Sequence, residues 1–97
     1  MSRSLIERRL REVHDRLRRA RDELAVLDEQ LAVFVEEADD ARLRALVSET
    51  PLANREHDEA QRHADAMVRS RNDVVARIAK LEQEQDQLLD RLVLETR

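Results

Sequence analysis

Any chemistry in this chain would have to start from three histidines, His14, His57 and His63, and from Ser2, Ser4, Ser48 and Ser70, because there is no cysteine. His57 and His63 are six residues apart, which puts them on different faces of a helix. Glu59 and His63, four apart, could share a cation, but one carboxylate and one imidazole are not a coordination set. A di-iron helical bundle needs Glu-x-x-His on two helices, and no such tetrad occurs. None of the serines sits in the strand-turn-helix elbow that exposes a nucleophile. With no glycine, the tight turns that cradle nucleotide phosphates are missing too. The residues therefore predict no catalytic group, no metal and no cofactor, and a protein that is not an enzyme.

Arginine offers the next possibility. Of 18 basic residues only Lys80 is lysine, and residues 1–21 carry eight Arg against three acids. Phosphate binding needs uncompensated charge on one face, and base stacking needs aromatic rings. Phe34 is the one aromatic side chain of the Phe, Tyr and Trp class. Charge alternates by segment: residues 22–49 carry nine acids against two Arg, 50–80 are near balance, and 81–97 are acidic again, giving a net charge of −4. A solvated, ion-paired helix face accounts for the Arg-rich start, and nucleic acid is not the expected partner.

The elements that carry these residues are helices. From Ile6 to Ala45, apolar residues fall at alternating spacings of four and three, through Leu10, Val13, Leu17, Ala20, Leu24, Leu27, Leu31, Phe34, Ala38 and Ala41. These are the a and d positions of a coiled-coil seam. After the single proline, Pro51, the same seam returns at Ala60, Ala64, Met67, Val74, Ile78, Leu81, Leu88 and Leu92. It starts near His57 and is interrupted by Arg71 and Gln85. Ser4 with Glu7 forms a capping-box pattern that predicts helix 1 over about 4–48. Thr50 as cap with Pro51 in first helical position predicts helix 2 over about 51–95. Asn54 is the competing cap, which would extend the turn over 49–54. The expected fold is all-α: one domain, residues 1–97, forming an antiparallel two-helix coiled-coil hairpin.

Two registers are open. One sets Leu10 opposite Leu88, Leu17 opposite Leu81, Leu24 opposite Val74, Leu31 opposite Met67 and Phe34 opposite Ala64. The other sets Leu27 opposite Ile78 and Phe34 opposite Arg71. The first is favoured, because it leaves no apolar seam residue without a partner. Flanking pairs of opposite charge, Arg16 with Glu84, Glu23 with Arg77, Arg21 with Glu82 and Arg44 with Glu56, support the antiparallel orientation.

Apolar residues remain outside the seam. Val35, Val68, Val75 and Leu89 occupy e positions, with Val26 and Val33 on a neighbouring line. A seam widened from a/d to a/d/e is the pattern of helices that form bundles, so a homodimer assembling as a four-helix bundle is expected. Around the turn, Glu49, Pro51, Leu52, Glu56, Asp58 and Glu59 form a candidate partner-binding tip. A hairpin with acids at its tip resembles the bacterial transcription factors that enter the RNA polymerase secondary channel. That resemblance is one of shape and charge, without their zinc module or globular domain. It implies the alternative function, a small regulator binding RNA polymerase or nucleic acid. Small secreted hairpin proteins with Trp-x-Gly in the turn are excluded, since Trp and Gly are absent. In composition the whole chain resembles small coiled-coil proteins of high-GC Gram-positive bacteria. No stretch reads as a signal peptide or membrane span. The sequence-based expectation is a cytoplasmic, non-enzymatic interaction or scaffold protein acting through helix packing.

Overall fold

Leu, Ala, Arg, Glu and Gln, all strong helix formers, dominate the chain on both sides of Pro51. The protein, seen in a computed structural model that describes residues 2–96, forms two helices: α1, Arg3–Ser48, and α2, Pro51–Glu95. They pack against each other as an antiparallel helical hairpin. Only Glu49 and Thr50 separate them.

That short connection is set by local chemistry. The Thr50 hydroxyl accepts a hydrogen bond from the Ala53 N–H at 3.2 Å, capping α2, with Pro51 in the first helical position. Asn54, the competing cap, lies within α2, and its N–H donates to the Thr50 carbonyl. On the other side, Glu49 adopts φ 51°, and its N–H donates to the Ala45 carbonyl at 3.0 Å. This is the left-handed C-cap that glycine usually supplies. At the N-terminus the cap is Ser2 rather than Ser4. The Ser2 hydroxyl accepts from the Leu5 N–H, and Ile6 donates to the Ser2 carbonyl. Glu7, expected to complete a capping box with Ser4, instead pairs with Arg3 one turn back at 3.0 Å.

In α1 every a and d position from Ile6 to Ala45 is buried or half-buried, and outside the seam only Leu5 and Glu7 are less than fully exposed. In α2 the seam begins at Ala53, which with Ala60 lines it near the turn as the sequence suggests. It runs unbroken through His57, Arg71 and Gln85 to Leu92. The chain divides into two packed units. In one, residues up to Leu24 pack with those from Val74 onward, around Ile6, Val13, Leu17, Ala20, Val74, Leu81 and Leu88. In the other, Ala25–Asp73, the buried residues are Ala38, Ala41, Ala45, Ala53 and Ala64, small enough to be covered by a single neighbouring helix.

The register of the turn-containing unit is fixed by its two ends. The Phe34 ring meets the His63 ring edge-on, with centroids 5.9 Å apart and planes at 80°. His63 precedes Ala64, the residue opposite Phe34 in the favoured register. Arg71, which the other register would set against Phe34, bonds instead to Asp28, beside Leu27.

Two expectations follow. Leu17 is 1% exposed and Leu43, on the face away from the seam, 55%. Leu17→Ala should lower unfolding free energy by about 2–5 kcal/mol, and Leu43→Ala should change it by less than about 0.5 kcal/mol in urea titrations. Half-buried Leu27→Ala should fall between them. Equal losses at 17 and 43 would contradict the seam. Glu49→Gly should raise stability by about 0.5–1 kcal/mol, because glycine takes positive φ without steric cost. A lower melting temperature for this variant would show that the Glu49 side chain contributes more than its backbone strain costs.

Candidate functional site

A helix with one partner hides one stripe of side chains, so the informative residues lie where that stripe is incompletely covered. In the turn-containing unit the large seam residues Leu27, Leu31, Phe34 and Met67 are only half-buried. The layer opposite Leu27 is filled by Arg71. Its aliphatic stem lies in the seam while its guanidinium reaches the Asp28 carboxylate at the edge. A charged side chain thus occupies a seam position without burying its charge, and Leu27 lacks an apolar lid. Next to these residues, at e positions, Val35 and Val68 are exposed.

The unit containing the chain ends repeats this arrangement. Leu24, Ile78 and Leu92 are half-buried in its seam, and Val75 and Leu89 are exposed at e positions. Leu10, Arg11, His14, Asp15, Gln85 and Leu89 line a notch of about 370 Å³. Gln85 sits half-buried in the seam there. A larger groove, about 750 Å³, lies on the opposite edge between Arg9 and Arg91 and is lined almost entirely by charged and amide side chains.

Ion pairs hold the two edges. Arg77 Nη1 donates to Glu23 Oε2 at 2.9 Å, and Arg21 Nη2 donates to Glu82 Oε1 at 3.5 Å, as the sequence suggested. Glu84 accepts from Arg9 at 3.5 Å rather than from Arg16, and neither Arg44 nor Glu56 takes part in an ion pair among the described residues. All these partners are roughly a third to two-thirds exposed, so each pair contributes only tenths of a kcal/mol. For the Arg-rich start this means that Arg3, Arg9 and Arg21 already have carboxylate partners.

The candidate tip, Glu49, Pro51, Leu52, Glu56, Asp58 and Glu59, is exposed throughout. Among the imidazoles, His14 is at the notch, His63 packs on Phe34, and His57 fills the seam between Ala53 and Ala60 with its Nδ1 buried and unpartnered. Among the described residues no group of three or more His, Cys, Asp or Glu is placed to hold a metal ion. No helix there is long and apolar enough to cross a membrane.

Sequence reasoning set Val26 and Val33 on a line beside the e-position ridge and left out Leu43, Leu46 and Val47, which share an outward face with them. On the outward b, c and f positions of α1, Val26, Val33, Leu43, Leu46 and Val47 are between 53 and 86% exposed. The signal was present in the heptad spacing of Val26, Val33 and Val47. It was obscured by Asp40, which occupies the same heptad position between Val33 and Val47. Comparison with family models, with curated proteins and with solved structures finds no match.

Proposed function

We propose that this chain is a non-enzymatic interaction protein that works as a homodimer, two hairpins joining along their e-position edges into a four-helix bundle. The observation that carries this reading is the half-buried seam of Leu27, Leu31, Phe34 and Met67 bordered by exposed Val35 and Val68. A second pair of helices along that edge would remove both sets from water, at about 25 cal/mol per Å² of apolar surface covered.

The occupant is a second copy because the edge is almost free of uncompensated charge. Beside Val35 and Val68 the e positions of the turn-containing unit hold Asn54 and Gln61, Asp28 is neutralised by Arg71, and Arg42 is the one remaining charge. Two identical edges can therefore meet with little like-charge repulsion, as an isologous interface requires. Cytoplasmic adaptor or scaffold action through this bundle follows as the function. The alternative, a regulator binding RNA polymerase or nucleic acid through the acidic tip or the Arg-rich start, has less support. Three of the eight N-terminal arginines are engaged by carboxylates, and beyond its acids the exposed tip offers only Pro51 and Leu52.

Sedimentation of the pure chain at tens of micromolar should give twice 11.4 kDa. Val68→Glu with Val75→Glu should give a helical monomer, because carboxylates at these positions cannot be buried unpaired. A monomeric parent would overturn the reading. A dimer that survives the double substitution would place its interface elsewhere.

A further inference from the structure

We propose that the outward face of α1 between Val26 and Val47 binds a basic amphipathic helix belonging to another protein. This surface is distinct from the e-position edge and lies wholly within the turn-containing unit. Val26, Val33 and Val47 share one heptad position, and Leu43 with Leu46 extends the strip across the end of α1. Val47 is 86% exposed. Such residues do nothing for the seam, since they point away from α2. An apolar strip on the solvent side of a helix is a cost to solubility that a binding partner offsets.

The charge around the strip identifies the partner. Val33 is flanked one turn away in each direction by Glu29, Glu36 and Glu37, and Asp39 and Asp40 lie between Val33 and Leu43; with Arg42 and Arg44 beside Leu43, residues 26–47 hold six acids, Asp28 included, against two Arg, the acidic excess lying around Val33. None of these five carboxylates forms an ion pair among the described residues. Asp28, the acid that is neutralised, lies at the seam edge instead. Within Ala25–Asp73 there are twelve acids against six Arg, a net charge of −6. A second copy laid on this strip would bring two sets of free carboxylates together, and like-charge juxtaposition opposes that. An anionic membrane surface is repelled for the same reason. A helix with apolar anchors at i, i+3 or i+4 and i+7, and with Lys or Arg beside them, satisfies both the strip and its rim.

Calorimetric titration of the intact chain with two synthetic helical peptides tests this. Both peptides share one leucine pattern; one carries Lys and the other Glu at every polar position. The Lys peptide should bind at low salt, more weakly as salt rises, and the Glu peptide should not bind. Val33→Ser with Leu46→Ser should weaken binding of the Lys peptide by about tenfold or more, whereas Val68→Ser should leave it unchanged. The proposal is overturned if the Lys peptide fails to bind, if the Glu peptide binds equally, or if the double variant binds undiminished. Sedimentation of Val33→Ser/Leu46→Ser should match the parent; loss of a dimer in this variant would mean that a second copy covers the strip, and would also overturn the proposal. A monomeric parent that still binds the Lys peptide through Val33 and Leu46 would remove the homodimer reading and leave this one standing.

Discussion

A helix that packs against a single neighbour can shelter only the side chains along one narrow stripe, and this limit organises the whole molecule. With 41% of residues charged and one Phe as the sole large ring, the chain has no second layer to add. In the unit of the chain ends the large Ile6, Leu17 and Val74 are fully covered, but in the turn-containing unit small and large side chains fare differently. The alanines of the turn-containing unit are covered because their whole side chain lies within reach of the opposite helix. Leu27, Leu31, Phe34 and Met67 extend past it and stay half in water. Full burial of a Leu is worth roughly 1.5–3 kcal/mol, and half-burial realises only part of that. The surplus apolar area is what an additional helix would cover.

The same limit explains how polar residues enter the seam. In a multilayer core Arg71 would bury a charge at prohibitive cost. Here the edge is one side-chain length away, so the guanidinium leaves the seam and meets Asp28. Gln85 is half-buried by the same geometry. His57, also half-buried, has one ring nitrogen that is buried without a partner. Such a nitrogen is a modest loss, and it falls where alanines on either side bring little apolar area of their own.

The hairpin was legible because its determinants are local and repeated. Pro51 and Thr50 place the turn, and the α1 seam shows an apolar residue at each step from Ile6 to Ala45. The α2 seam was harder to read, since membership there depends on position and not on residue type. His57, Arg71 and Gln85 interrupt the apolar pattern by their polarity while keeping their seam positions. Caps were uncertain for another reason: Ser2 and Ser4 are both competent, and the choice follows from Arg3 drawing Glu7 away. The left-handed Glu49 has no sequence signature at all. It arises because a connection of only Glu49 and Thr50 demands positive φ in a chain that contains no glycine.

Two apolar surfaces remain on the outside, and charge rather than hydrophobicity distinguishes their occupants. Val35 and Val68 lie on an edge where Arg71 cancels Asp28, Asn54 and Gln61 are amides and Arg42 is the one remaining charge, so a copy of the same edge would meet little repulsion. Val33, Leu43 and Leu46 lie on a face with an acidic excess, and its carboxylates form no ion pair among the described residues. Since the hydrophobic effect is non-directional, it would favour covering either strip with any apolar face. The carboxylates break that equivalence: they oppose self-association on the outer face of α1 and leave its strip to a cationic helix. On the two proposals above, a chain whose helices each have a single neighbour would support two contacts of different kind, one with itself and one with another protein.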